Sequence, residues 1–221
     1  MNPAAPKSNL MATLVPVVST ENKVVFSRPT FESEIEVTVD FEPRRTIAST
    51  CQLQFMNHML EHVSCRGCFN IGLKVDLPRL KLTHVITEDL GITIGQALLH
   101  LMANNVDRGI NTFGAGSGVL DEALSRAVVS VEGRPGFWLR NHTGRELDEL
   151  VEDMQARDLE AFLEGLSHGF KASIHVDIQS GRNPHHIWES VFRALGEALR
   201  ELFAPCPWRA GTIGAIKRTL Y

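Results

Sequence analysis

Two pairs of residues, each a histidine followed four positions later by a glutamate, have the types and spacing typical of metal chemistry. They are His185 with Glu189, and His84 with Glu88. Side chains four residues apart lie on the same face of a helix, so each pair can direct an imidazole and a carboxylate at one ion. This donor set suits Mn, Fe, Zn or Ni better than Ca or Mg. The sequence therefore predicts metal ligands at the starts of two helices.

The later pair contains an additional histidine. His186 stands three positions before Glu189 and shares a helix face with it, but adjacent residues project about 100° apart around a helix. His185 and His186 are therefore expected to reach two different ions, or to divide into one ligand and one substrate contact. A simpler alternative is a polar helix start, since Asn183 is a suitable N-cap and Pro184 suits the first helical position.

Composition excludes several classes of function. The 221 residues are 43% hydrophobic and 22% charged, which is ordinary for a soluble globular protein. The net charge of −4 gives no reason to expect nucleic acid or a membrane surface as a partner. No apolar run is long enough to span a bilayer, and the N-terminus is a poor signal peptide. Four cysteines do not make a disulfide scaffold, so a cytoplasmic location is expected. The role of Cys65 and Cys68, which have metal or redox spacing, stays open.

The elements that position the histidines alternate between strands and helices. Apolar alternation predicts strands at 23–27, 34–41, 46–53, 69–77, 124–131, 136–140 and 171–178. Helical periodicity predicts helices at 55–63, 84–103, 159–168 and 184–203. Glycine-rich residues 109–118 are expected to form a loop, and residues 143–153 an acidic connector.

The chain matches itself at an offset of 101 positions. Residues 72–77 align with 173–178, and residues 84–101 align with 185–202. Chance similarity of two amphipathic helices would explain the apolar matches but not the shared histidine–glutamate and Val-Asp pairs. We therefore predict an internal duplication. The expected fold is α+β, with two duplicated half-domains, each an antiparallel sheet with two helices on one face. We expect a flexible extension at 1–22, a first repeat at 23–120 and a second repeat with an irregular tail at 121–221, in one compact domain.

Duplication makes metal binding the favoured interpretation of the histidines. His58, on the predicted helix before the first repeated strand, and His175, within the second repeated strand, add further candidate donors. The other histidines, His100, His142 and His168, are expected to be ordinary surface or core residues.

Short motifs resemble the imidazoleglycerol-phosphate dehydratase family of histidine biosynthesis. The resemblance runs from about residue 28 to 214, in the order of the family. The motifs are residues 55–60 (family F-L-D-H-M-L), 88–97 (E-D-x-G-I-x-x-G-x-A), 121–124 (D-E-A-L), 133–135 (G-R-P) and 185–189 (H-H-x-x-E).

The resemblance implies a dehydratase that removes water from a phosphorylated imidazole diol. It implies two Mn ions per active site, at subunit contacts in a large symmetric homo-oligomer; our expectation is Mn or another divalent transition metal, one or two ions per subunit. By position, the metal ligands would be His58, His84, Glu88, His175, His185, His186 and Glu189. The candidate catalytic residues would be Glu32, Glu88 and Glu189, with Glu32 in a motif similar to R-x-T-K-E-T.

The sequence departs from the family at both ends of the expected site. Val85 replaces the second histidine of the first H-H-x-x-E motif and cannot bind a metal. Thr112 and Ile213 replace an arginine and a lysine that grip the substrate phosphate in the family. His62 replaces a glutamine, and Arg66 replaces a histidine.

Several polar residues remain as candidate substrate contacts. They are Arg134, Arg193, His62, Arg66 and Thr212. We therefore favour a metal-dependent lyase with an altered substrate, an azole or a phosphorylated small molecule. The alternatives are an ordinary imidazoleglycerol-phosphate dehydratase and a non-catalytic homologue that forms only the shell.

Overall fold

The first half of the chain forms one sheet and two helices. The computed structural model describes residues 16–45, 49–77, 81–147 and 150–212. The elements of the first half are β1 (Val18–Ser19), β2 (Lys23–Pro29), β3 (Glu34–Asp40), β4 (Ser49–Thr50), α1 (Gln54–Gly67), β5 (Asn70–Asp76) and α2 (Thr83–Ala103). The strands lie in the order β1-β2-β3-β5-β4, all antiparallel except for the β4–β5 pair.

The second half repeats this arrangement after a 3-10 turn at Val106–Arg108. Its elements are β6 (Phe113–Leu120), β7 (Ala123–Val131), β8 (Gly136–Asn141), β9 (Leu150–Val151), β10 (Met154–Gln155), α3 (Ala156–Phe170), β11 (Ala172–Ser180) and α4 (Pro184–Leu202). The sheet order β6-β7-β11-β8, with β8 parallel to β11, reproduces the order β2-β3-β5-β4 of the first half. The shared topology supports the predicted duplication, and the predicted α+β fold is confirmed.

The helices connect the two halves. In each half the second helix packs on its own sheet, α2 on β2 and β3, and α4 on β6 and β7. Across the halves, α2 packs against α3, and α1 packs against α4. One continuous core of buried apolar residues runs through both halves.

Local sequence explains why α4 starts where it does. The Asn183 side chain accepts a hydrogen bond from the His185 N–H at 2.9 Å, and Pro184 occupies the first turn. Trp188 and Phe192 then repeat at helical spacing and are fully buried. The cap therefore fixes the register in which His185 and Glu189 face the neighbouring helix.

The prediction of a loop at 109–118 is wrong, because residues 113–120 form strand β6. Glycine is needed there since the α4 backbone lies directly on the strand: a Cβ at Gly116 would come within 2.4 Å of the Ala194 carbonyl oxygen. Gly114 and Gly118 meet α4 in the same way. Because β6 pairs with β7 in the second sheet, the division between the halves falls before residue 113, and the predicted boundary at 120/121 cuts a hairpin.

The remaining differences between the predicted and the observed elements concern short segments. Of the strand predicted at 46–53, the structure has β4, while residues 46–48 lie outside the described residues. The end of the predicted acidic connector forms a strand, Leu150–Val151, which pairs with the residues just after the connector, Met154–Gln155. The end of the predicted N-terminal extension pairs with β2 through Val18–Ser19, and residues 1–15 lie outside the described part of the chain. None of the helices described is both long and apolar enough to cross a membrane.

Candidate metal centre

Ionisable side chains from α1 and α4 meet at the contact between these two helices. We call this group the helix-interface cluster, and it consists of His58, His62, His185, Glu189 and Arg193. On α1 the two histidines are four residues apart, and on α4 each member follows the previous one by four residues, so each helix presents its members on one face. The cluster therefore follows from the register and the packing of two helices.

Glu189 lies at the centre of the cluster and is 4% exposed. Its Oε2 is 3.1 Å from His58 Nε2 and 3.2 Å from His185 Nε2. Its Oε1 is 3.1 Å from His62 Nε2 and accepts a hydrogen bond from the Arg193 guanidinium. Both carboxylate oxygens are thus shared between α1 and α4.

Two members of the cluster have shifted pKa values. Burial alone would raise the pKa of Glu189, but His62 and Arg193 outweigh it, so the pKa of this carboxyl lies below its ordinary value. Burial lowers the pKa of His62, although Glu189 opposes this effect. An ionised carboxylate and a neutral imidazole are the forms that bind metal ions.

Three members of the cluster could together hold a metal ion. His58, His62 and Glu189 each offer a ligand atom, and these atoms lie within 4.8 Å of one another. His58 Nε2 and His62 Nε2 each lie 3.1 Å from a different oxygen of Glu189. Two histidines and one carboxylate suit a divalent transition ion and leave positions open for a substrate. The donor set therefore fits a metal.

A short hairpin supports the cluster from one end. The turn between β9 and β10 places Glu152 Oε1 2.8 Å from His185 Nδ1. The neighbouring Asp153 accepts hydrogen bonds from the backbone N–H groups of Gln54 and Phe55, at 2.8 and 3.0 Å, and so caps α1. One turn thus ties the start of α1 to the start of α4.

His186 points elsewhere, as the 100° rotation between adjacent helical residues predicts. Its Nδ1 is 2.8 Å from Glu122 Oε2, and its ring is nearly perpendicular to that of His185. Glu122 Oε1 also accepts hydrogen bonds from the backbone N–H groups of Arg182 and Asn183. These contacts lower the pKa of Glu122 to about 2, the Asn183 N–H contributing most, and the hydrogen bond to Glu122 raises the pKa of His186.

The first histidine–glutamate pair has different surroundings. His84 and Glu88 are 63% and 52% exposed, with 3.7 Å between Nε2 and Oε2. His84 Nδ1 also lies 3.6 Å from the buried carboxylate of Asp158 on α3. At the 101-residue offset, the positions of His58 and His62 are occupied by Leu159 and Leu163, which cannot bind a metal. Within one chain, the two halves are therefore unequal as metal sites.

His175 and Glu32 lie apart from the helix-interface cluster. His175 lies on β11 between the buried Ile174 and Val176, so its side chain is on the outer sheet face, where it stacks on Trp138 at 4.5 Å. Glu32 is exposed on the β2–β3 turn. Ser33, next to it, donates a 2.5 Å hydrogen bond to Asp89 of α2.

The predicted substrate contacts do not form a single group. Arg193 also donates to the Val119 carbonyl at 2.7 Å, and Arg66 lies 3.7 Å from Glu197 on α4. Arg134 is exposed on the β7–β8 turn, and Thr212 Oγ donates to the Arg209 carbonyl. Together with His62, these are the five candidates, of which Arg193 and His62 reach Glu189.

Sequence reasoning missed Glu122, Glu152 and Asp153, which hold or orient the histidines. They come from turns distant in sequence, and no local spacing relates them to α1 or α4. Of the replaced family positions, Thr112 is 3% exposed with a φ of 59°, and Val85 is partly buried on α2. Ile213 lies outside the described residues. Of the remaining histidines, His100 stacks on Phe26, and His142 lies near Asp177.

Comparison with known proteins gives a consistent result. The family model for imidazoleglycerol-phosphate dehydratase matches residues 50–199. The enzyme of that name from Nitrosococcus oceani is 32% identical over 87% of this chain and 95% of its own, and that from Thioalkalivibrio sulfidiphilus is 34% identical over 88% and 96%. The crystal structure from Pyrococcus furiosus, in complex with (S)-C348, is 26% identical with a TM-score of 0.71 and covers 87% of this chain and 99% of its own. The Staphylococcus aureus structure shares the fold, with a TM-score of 0.67 at 23% identity over 82% of this chain and 99% of its own. This chain belongs to the imidazoleglycerol-phosphate dehydratase family.

Proposed function

We propose that the protein is a metal-dependent hydro-lyase that removes water from imidazoleglycerol phosphate. The observation that carries the proposal is the convergence of His58, His62 and Glu189 within 4.8 Å in a chain of this family. Its dehydratase relatives match over nearly their whole length. The ion is Mn or another divalent transition metal, at one or two ions per subunit.

The family ligands divide into two sets in the proposed site. One set, His58, His185 and Glu189, meets within a single chain. The other set consists of His84, Glu88, His175 and His186. Within one chain, this second set is spread over the start of α2, the outer sheet face and the start of α4, and His84 and Glu88 are more than half exposed. We therefore propose that copies of the chain complete the second set in a large symmetric homo-oligomer.

The chemistry requires one group to remove a proton from carbon and another to protonate the departing hydroxyl. We assign acid/base roles to Glu32, Glu88 and Glu189. The hydrogen bond from Ser33 to Asp89 supports the assignment of Glu32, because it anchors the turn that carries Glu32 to α2, the helix of Glu88. A bound divalent ion would supply Lewis acidity that stabilises negative charge on the imidazole ring.

The substrate phosphate needs cationic or hydrogen-bonding partners. We assign this role first to Arg134, whose side chain is exposed, and to Thr212. Arg193 is already engaged with Glu189 and the Val119 carbonyl, and Arg66 with Glu197, so each must exchange a partner to bind an anion.

An altered substrate is the second candidate function. The observation that supports an altered substrate is Thr112, which is buried (3% exposed) and replaces an arginine that binds the substrate phosphate in the family. Together with Val85, this residue favours a small azole with a different anionic group, or with none.

The test compares two substrates with the metal-loaded full chain. Imidazoleglycerol phosphate and imidazoleglycerol are supplied in parallel, and the dehydrated product is followed by mass spectrometry. Preference for the phosphate would support the proposed function, and equal or better turnover without it would support the second candidate. If metal-loaded protein turns over neither substrate, both candidate functions are contradicted and a non-catalytic shell is favoured. Glu32→Gln should abolish turnover, while the exposed neighbour change Glu34→Gln should not.

A further inference from the structure

We propose that His62 is a metal ligand and that it joins His58, His185 and Glu189 in one site whose donors all come from a single chain. The inference rests on the metal-dependent function proposed above and names a ligand beyond the family set. The family motif has a glutamine at position 62, so this donor is a property of this chain. It would allow one ion to be held without a side chain from another copy.

The geometry of α1 supports this assignment. His62 lies one helical turn after His58, and their rings are 4.6 Å apart in an edge-to-face arrangement. His62 Nε2 is 3.1 Å from Glu189 Oε1, the same separation as His58 Nε2 from Oε2. The His62 side chain is 21% exposed, so it faces the interface between the helices. Two histidines on one helix thus approach the two oxygens of one carboxylate on the other.

The helix contact holds these donors close together. Gly196 of α4 packs directly on α1: a Cβ there would come within 2.8 Å of the Val63 carbonyl oxygen and 2.7 Å of the Arg66 Cβ. Only a glycine permits this approach of α4 next to the residues that follow His62. Pre-positioned donors lose little conformational freedom when an ion binds.

The second half of the chain provides an internal comparison. Leu163 on α3 occupies the position that corresponds to His62, and Leu159 the position that corresponds to His58. The exposed His84–Glu88 pair therefore lacks these α1-type donors within its own chain. Of the two halves, only the α1–α4 interface combines two imidazoles with a carboxylate among the described residues.

Arg193 competes with the proposed metal ion for Glu189 Oε1. Its guanidinium binds Glu189 Oε1, while its Nε is buried without a hydrogen-bond partner among the described residues. A metal ion and a guanidinium repel each other, so binding of the ion opposes this ion pair. Arg193→Met should therefore tighten metal binding, which is the opposite of the effect expected at His62.

The first test is a Co²⁺ titration of the full chain, followed by the absorption of the bound ion. His62→Gln restores the family residue, and His168→Gln makes the same substitution at an exposed helical histidine. Loss of a support for a ligand lowers metal affinity about 10–100-fold, so loss of a ligand should raise the Kd by at least about tenfold. His168→Gln should leave the Kd unchanged. A Kd for His62→Gln within about threefold of the wild-type value would overturn the proposal.

A second measurement covers the case in which His62→Gln alters folding. X-ray absorption of the Co²⁺-saturated proteins counts the bound imidazoles, and the count should fall by one from wild type to His62→Gln. An unchanged count would overturn the assignment of His62. The dehydratase assay is independent of both readouts. An inactive wild type whose metal affinity depends on His62 would contradict the proposed function alone, whereas an active wild type indifferent to His62 would contradict this inference alone.

Discussion

At the residue scale, Glu189 determines the character of the candidate site. It is almost fully buried, and its two oxygens contact three imidazoles and one guanidinium. Removing the partners of a buried carboxylate would leave its charge uncompensated and would destabilise the folded protein. The same contacts that stabilise the charge also orient the donors toward a common point.

Replacing Glu189 by Gln should therefore reduce both stability and metal binding. We expect the free energy of unfolding of the metal-free protein to fall by about 1–3 kcal/mol, because Arg193 loses its charged partner. Urea denaturation measures this change. The matched control is Glu160→Gln: burial raises the pKa of Glu160, so loss of its charge should be neutral or stabilising. An equal loss in both variants would contradict a specific role for Glu189.

The Glu122–His186 pair should give stability a defined pH dependence. The pKa of Glu122 is lowered to about 2 from its ordinary value of 4.5, so its contribution is present above pH 4.5 and is lost as the pH falls toward 2. The pKa of His186 is raised, so its contribution is present below pH 6.5 and is lost as the pH rises through its folded-state value. Acid unfolding of Glu122→Gln, followed by circular dichroism, should depend less on pH between 4.5 and 2. A profile identical to wild type would contradict this role.

The sequence marked candidate site residues where spacing along one helix carried the information. His58, His62, His185, Glu189 and Arg193 were all predicted as site residues, because helical spacing and the family motifs mark them. Glu122, Glu152 and Asp153 were not, since they approach through turns whose positions depend on the tertiary fold. The separate partners of His185 and His186 confirm the rotation expected for adjacent helical residues.

At the element scale, α1 depends on a cap from a distant segment. Leu53 precedes the helix and cannot cap it with its side chain, whereas Asp153 accepts hydrogen bonds from the first two N–H groups. Asp153→Ala should reduce the free energy of unfolding by about 1–2 kcal/mol, as measured by urea denaturation. Asp76→Ala, at the exposed end of β5, should change it by less than about 0.5 kcal/mol. If both variants behave like wild type, the cap does not stabilise the helix.

Strand β6 shows why local composition misled the prediction for residues 109–118. Its alternate glycines indicate close packing against α4 and not a loop, a distinction that requires knowledge of the partner helix. Gly116→Ala should destabilise the protein by at least about 1–3 kcal/mol, because the new Cβ meets backbone atoms that cannot move alone. Ser117→Ala, on the exposed face of the same strand, is the control for thermal unfolding. Near-wild-type stability of Gly116→Ala would mean that the two elements can separate easily.

At the scale of the whole molecule, two halves of the same topology carry unequal donor sets. The fold was predictable from the repeat, since matches at one fixed offset covered both a strand and a helix. The division between the halves was placed inside a hairpin, because β6 was not recognised as a strand. The halves differ because Leu159 and Leu163 occupy the positions that correspond to His58 and His62. The pairing of α1 with α4 and of α3 with α2 shows that this difference leaves the His84–Glu88 pair without neighbouring imidazoles from α3.

The metal content of the full chain, purified without chelator and measured by elemental mass spectrometry, tests the α1–α4 interface most directly. We predict at least one divalent transition-metal ion per chain in the wild type and its loss in Glu189→Gln. A natively folded wild type that takes up no ion, or a Glu189→Gln variant with wild-type metal content, would contradict the central claim that the α1–α4 interface is a metal centre.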